Sequence, residues 1–183
     1  MIKLNKKLII IINGPAGVGK DTLIEEYSKR TKNSVYNYSS IDYFKDIAKK
    51  VFYWDGIKNE KGRKLLSDIK AIASEYNDLP TEITLNKIEQ FYDVPYKNDA
   101  VMFVHIREKD ETDKLIKRLK EKDMPVKTMF IYTSREIEGF KDNKSDEYSS
   151  DWRNGLNDYN VLMYNDDLDY AVDEMSSIID SYM

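Results

Sequence analysis

The sequence predicts an α/β domain, a parallel sheet with helices on both faces. Three observations predict it. Short apolar runs recur at 8–12, 100–106 and 126–132, mostly unbroken rather than alternating, as in strands buried on both faces. The segments between them carry apolar residues at helical spacing. The first run, Leu8-Ile9-Ile10-Ile11-Ile12, leads straight into a glycine-rich stretch that opens a helix.

That stretch is Asn13-Gly14-Pro15-Ala16-Gly17-Val18-Gly19-Lys20-Asp21-Thr22. Gly14, Gly19 and Lys20 fit the phosphate-binding pattern Gly-x-x-x-x-Gly-Lys-[Ser/Thr] in all but its last position. Glycines let backbone N–H groups wrap a polyphosphate, and the helix that follows turns its positive end to the same anion. Lys20 is a mobile point charge for the β and γ phosphates. Asp21 replaces the usual Ser or Thr. A carboxylate is also a hard oxygen ligand, so Asp21 is the candidate Mg²⁺ ligand. The hydroxyl of Thr22 is placed for the α-phosphate. Gly14 to Thr22 are thus the expected ATP-binding residues.

The remaining elements follow in order. A helix is expected over 21–29 through Leu23, Ile24 and Tyr27, then a short strand at 34–38. A helix over 41–51 places Phe44, Ile47, Ala48 and Val51 on one face. Trp54-Asp55-Gly56 is a break. A longer helix over 60–76 turns Leu65, Leu66, Ile69, Ile72, Ala73 and Tyr76 inward, and Pro80 and Thr81 begin another through Leu85, Ile88 and Phe91. After the strand at 100–106 comes a helix over 112–121, with Leu115, Ile116 and Leu119 inward. After the strand at 126–132 the chain turns polar until a fifth strand at 161–164. A closing helix runs through Leu168, Ala171, Val172, Met175, Ile178 and Ile179. In such a sheet, site residues gather at the carboxyl ends of the strands.

Composition narrows the function. The chain has 183 residues, 41% hydrophobic and 34% charged, which suits one globular domain. A net charge of −4 lacks the basic excess of a non-specific nucleic-acid binder. With no cysteine and a single histidine, thiolate chemistry and multi-histidine metal sites are excluded. No apolar run is long enough for a bilayer, and residues 1–7 lead into no signal-peptide pattern. A cytoplasmic location, without membrane or nucleic-acid partners, is expected.

With Gly19-Lys20-Asp21-Thr22 closing the loop, the sequence resembles the P-loop nucleoside and deoxynucleoside monophosphate kinases, the phage-type deoxynucleoside monophosphate kinases above all. Trp54 to Leu66, His105-Ile106-Arg107-Glu108, Asn143 to Asp146 and Asp158 to Asn165 look similar to that group as well. The resemblance implies a P-loop NTPase three-layer sandwich with a five-stranded parallel sheet in the order 2-3-1-4-5. It implies one kinase domain over 1–183, with an acceptor-binding helical region at about 40–95 and a lid at about 133–158. It implies ATP and Mg²⁺ as cofactors, a small phosphorylated acceptor as partner, and a monomer or homodimer.

The resemblance also assigns roles. Asp42 and Lys45 hold the spacing of an acceptor-binding Asp and basic residue. Arg107, after the third strand, matches an Arg on the acceptor phosphate. Arg135 matches a lid residue over the transferring phosphate, with Lys141, Lys144 and Arg153 behind it. The position that often holds an acidic residue near Mg²⁺ falls near His105, which stays outside the catalytic set. Arg63 is a further acceptor contact. Lys20, Arg107 and Arg135 form the expected catalytic set, and Asp42, Lys45, Arg63 and Arg107 the acceptor set. Plainer roles stand beside these: Asp42 as a helix cap, Lys45 and Arg63 as solvated charges, Arg107 in an ion pair with Glu108. Tyr36, Tyr38 and Tyr43 suit either base stacking or core packing. The expected reaction moves the γ-phosphoryl of ATP to a nucleoside or deoxynucleoside monophosphate. The alternatives are a P-loop kinase of a non-nucleotide or coenzyme acceptor such as dephospho-coenzyme A, and a non-catalytic ATP-binding regulatory module.

Overall fold

The structure is a computed structural model and describes residues 5–133, 157–163 and 167–183. Strands β1 (Lys7–Asn13), β2 (Ser34–Ser39), β3 (Ala100–His105), β4 (Val126–Thr133) and β5 (Tyr159–Met163) form one sheet. Its order is β2-β3-β1-β4-β5 and every pairing is parallel, as expected. The helices are α1 (Lys20–Arg30), α2 (Asp42–Phe52), α3 (Glu60–Asn77), α4 (Leu79–Asp93), α5 (Lys109–Glu121) and α6 (Leu168–Asp180). Each lies within a few residues of its expected place. None of the described helices is long and apolar enough to cross a membrane.

The run of isoleucines in β1 is explained by its central position. Side chains alternate along a strand, so Leu8, Ile10 and Ile12 face one way and Ile9 and Ile11 the other. The first set joins Leu23, Ile24 and Tyr27 of α1 and Val172, Met175 and Ile179 of α6. The second joins Leu85, Ile88 and Phe91 of α4 and Leu115 and Leu119 of α5. Burial on both faces is why an unbroken apolar strand is stable here. Each such side chain contributes about 1.5–3 kcal/mol. Strand β2 sits at an edge, and its Tyr36 and Asn37 are exposed.

The register brings the strand ends level. Ile12 and Ser39 both pair with His105, and Asn13 pairs with Phe130. The loops after β1, β2 and β3 therefore open on one rim.

Two helices differ from their apolar pattern. In α3, Ile72 and Tyr76 were expected inside but are 68% and 86% exposed. The buried residues are Gly62, Leu66 and Lys70. Val51, at the end of α2, is 62% exposed. Periodicity finds a stripe, but the neighbours decide which side is covered. The inner side of α3 faces the polar end of the sheet, where Lys70 Nζ meets Glu108 Oε2 and Glu111 Oε2, each at 2.6 Å, and Ser40 Oγ at 3.1 Å. Burial pushes the Glu111 carboxyl up, opposed by the Lys70 charge and reinforced by Glu108. Burial also raises Glu108, but the charge and hydrogen bond of Lys70 outweigh it and hold that carboxyl below its usual range. Gly62 is in the first turn of α3 because nothing larger fits: a Cβ there would lie 2.3 Å from the Ile57 carbonyl oxygen and 2.7 Å from Trp54 Nε1. Asn59 caps the same turn, accepting from the Gly62 N–H at 2.9 Å.

Candidate active site

The loop between β1 and α1 is shaped by its glycines. Gly14, Gly17 and Gly19 have φ of 147°, 78° and 97°, a region that side chains disfavour. Gly14 also passes so close to β4 that a Cβ would fall 2.3 Å from the Ile131 carbonyl oxygen. Asn13 is buried and holds both sides of the rim. Its Oδ1 accepts from Gly14 N at 2.7 Å, and its Nδ2 donates to the Arg107 carbonyl oxygen at 3.4 Å. Lys20 Nζ folds into the loop and donates to the carbonyl oxygens of Gly14 (2.7 Å) and Pro15 (2.9 Å).

Beside this loop is a cleft of about 480 Å³. Gly17, Gly19, Lys20, Asp21 and Thr22 form one wall, and Asn37, Tyr38, Ser39 and Asp42 another. His105 and Arg107 come from the end of β3. Elements far apart in the chain are joined here by the level strand ends. The guanidinium of Arg107 forms no hydrogen bond or ion pair with any described residue; in particular it is not paired with Glu108.

Asp21 is in the first turn of α1, and its side chain is 87% exposed to the cleft. Its Oδ1 lies 3.4 Å from Asn37 Nδ2 and 3.6 Å from His105 Nε2. His105 Nε2 in turn lies 2.7 Å from Asn37 Oδ1. An amide oxygen only accepts, so the imidazole proton is on Nε2. Burial pushes His105 down to about 4; Asp21 opposes the shift and Lys20 adds to it. At neutral pH the ring is therefore an uncharged donor. It orients Asn37, which turns its N–H₂ toward the Asp21 carboxylate. Neither Asn37 nor this role of His105 was read from the sequence. The register is the only signal that places them together, because β2 and β3 are distant in sequence and neither residue belongs to the loop motif.

Not every expected site residue reaches the cleft. Asp42 lines it, but does not cap α2: the cap position is Ile41, and Asp42 Oδ1 instead pairs with Lys45 Nζ at 2.5 Å. Lys45 thus stands one contact behind the wall. Arg63 is not among the lining residues, and its Nε donates to the Lys58 carbonyl oxygen at 2.9 Å. Tyr38 lines the cleft, whereas Tyr36 packs on Phe91 and Tyr96 and Tyr43 on Phe44. Arg135, Lys141, Lys144 and Arg153, and nearly all of the expected lid, lie outside the described residues.

A polyphosphate-bound Mg²⁺ takes one or two carboxylates from a protein, the rest of its shell being phosphate and water. The exposed carboxylate of Asp21 fits that need. Among the described residues no group of three or more acidic or histidine side chains is arranged to hold a metal by itself.

No protein-family model matches the chain, and no curated protein matches it. Solved structures do. The tunicamycin resistance protein of Deinococcus radiodurans superimposes with a TM-score of 0.59 at 13% identity, over 95% of this chain and 96% of that one. The APS kinase of Mycobacterium tuberculosis in complex with AMPPNP and APS gives a TM-score of 0.49 at 11% identity, over 96% and 99%. The first likeness, with the parallel sheet in the order β2-β3-β1-β4-β5, shows the P-loop NTPase three-layer fold.

Proposed function

We propose that the protein moves the γ-phosphoryl of ATP to the phosphate of a nucleoside or deoxynucleoside monophosphate. The observation that carries this reading is Arg107, a cation without a partner among the described residues, opening into the same cleft as Lys20 and Asp21. A module that only bound ATP would have no use for a second, separately held phosphate ligand. The planar fork of an Arg suits two oxygens of an acceptor phosphate.

Phosphoryl transfer needs positioning and charge neutralisation more than covalent help. The acceptor phosphate is already an anion, so no strong base is required. One of its oxygens attacks the γ-phosphorus in line, the bond to the β–γ bridging oxygen breaks, and ADP leaves. The N–H groups of the loop hold the donor phosphates, and Lys20 exchanges its carbonyl contacts for β and γ oxygens. Asp21, steadied by Asn37 and His105, holds Mg²⁺, which supplies charge neutralisation when bound. Arg107 orients the acceptor, with Asp42 in the cleft wall and Lys45 paired behind it. Arg135 is assigned the charge over the transferring group, and Arg63 a more distant acceptor contact.

The test is ADP release measured across nucleoside and deoxynucleoside monophosphates, with dephospho-coenzyme A and a no-acceptor control. Turnover confined to one or more monophosphates supports the reading. Turnover with dephospho-coenzyme A alone would move the protein to the coenzyme kinases. ATP binding with no acceptor-dependent release from any of them would favour a regulatory module.

A further inference from the structure

Helix α3 carries an apolar stripe that its own molecule leaves uncovered. Leu65, Ile69, Ile72 and Tyr76 are spaced by four, three and four residues, the seam of a helix that packs along another. At 3.6 residues per turn they share an arc of about 60°. Leu65 and Ile69 are half-buried, and Ile72 and Tyr76 are exposed. The helix meets the rest of the fold through the neighbouring arc, that of Gly62, Leu66 and Lys70. A lone exposed apolar residue needs no explanation, but a contiguous row of them marks an interaction surface.

The charges beside the stripe say what covers it. Lys61, Lys64, Asp68 and Glu75 follow its other, exposed flank. Lys64 and Asp68 neutralise each other at 2.6 Å. Lys61, near the start of the helix, and Glu75, near its end, are exposed and pair with no described residue. They stand about 21 Å apart along the axis, with Asp68 midway. An identical helix laid antiparallel, about a two-fold axis at Asp68, sets Lys61 of each copy against Glu75 of the other. Both ion pairs form at once, and the axis falls where the charge is already neutralised. Leu65 and Ile69 of the two copies then meet around the axis. Tyr76 reaches the start of the other α3, where Ile57 is exposed.

We propose that the protein forms a symmetric dimer in which α3 packs antiparallel on α3 of a second copy. A two-fold contact uses one patch twice and closes on itself, which is what a self-complementary order of charge permits. An anionic lipid surface is disfavoured, because Asp68 and Glu75 border the stripe. None of these residues lines the phosphate-loop cleft, so the interface does not depend on the phosphoryl-transfer reading.

The experiment is sedimentation equilibrium of the full chain over a range of concentrations. A mass of two chains, falling to one on dilution, is expected. Ile72→Glu and Tyr76→Glu should each weaken the dimer about tenfold or more, the scale for a packed interface residue. Lys61→Glu and Glu75→Lys should each weaken it about tenfold by setting like charges together, and the double variant Lys61→Glu, Glu75→Lys should restore most of the affinity. All four side chains are exposed in the single chain, so the variants keep the fold, as circular dichroism would check. A monomer at every concentration up to about 1 mM would overturn the proposal and leave the stripe to a different protein. A dimer indifferent to Ile72→Glu and Tyr76→Glu would place the interface elsewhere and overturn it too. Failure of the charge exchange to restore affinity would overturn the antiparallel pairing.

Discussion

At the scale of single residues, Lys20, Arg107 and His105 of the cleft have separable tasks. Lys20 belongs to neither core cluster, so Lys20→Ala should fold normally and lose about 10²-fold or more in turnover, the scale for a lost electrostatic stabiliser. Near-normal turnover would remove the loop from the mechanism. Arg107→Ala should cost about 2–4 kcal/mol of transition-state stabilisation with the acceptor. Affinity for an ATP analogue, measured by calorimetry without acceptor, should hardly change, because the loop and Lys20 still hold the donor. A collapse of that affinity would place Arg107 on the donor side. His105 makes a prediction about stability. Its pKa falls from 6.5 to about 4 on folding, so the unfolded chain takes up the proton first as pH drops. Its contribution is whole above pH 6.5 and is lost as pH falls from 6.5 toward 4. His105→Gln keeps a donor for Asn37 but cannot titrate. Urea unfolding across that window should show a pH slope shallower by about one proton in the variant, and identical slopes would refute the shift.

At the scale of elements, the start of α3 is a closely packed turn. Gly62 meets a backbone carbonyl that cannot step aside, whereas a Cβ on Gly56 would meet nothing within 4 Å. Gly62→Ala should therefore destabilise by about 1–3 kcal/mol through overpacking, and displace Trp54 from its hydrogen bond to Ile57. Gly56→Ala should cost only about 1 kcal/mol, for its left-handed φ of 89°. Chemical denaturation and tryptophan fluorescence of the two variants measure both effects. A larger loss at Gly56 would show that the tight approach is not what holds this turn.

Across the whole molecule, Lys70 links α3 to the loop before α5, to α5 itself, and to the end of β2. Lys70→Ala leaves Glu111 buried without its cation and should cost about 3–5 kcal/mol, seen as a fall in the urea midpoint. The double variant Lys70→Met, Glu111→Leu removes the buried charges together and should recover most of that loss. Glu108 tolerates it because its side chain is 43% exposed and can turn to water. A double variant no more stable than Lys70→Ala would mean that the network supplies net stability.

The sequence by itself determined what neighbouring residues can record. A strand buried on both faces, a glycine loop and a helix opening with Lys20 and Asp21 are contiguous, so the phosphate loop was legible at once. The helices and strands followed from period and length. The strand order came with the resemblance, and the structure bears it out. Only the tertiary structure decided which distant residues meet. Parallel register set Asn37 beside His105 and aimed both at Asp21. The packing around α3 buried Lys70 and left Ile72 and Tyr76 in water, against the apolar pattern. Arg63, bonded to the Lys58 carbonyl, was left out of the cleft lining. The physical reason is common to all of these. Local chemistry and periodicity act through bonds along the chain, whereas a site is closed by register and packing between segments tens of residues apart.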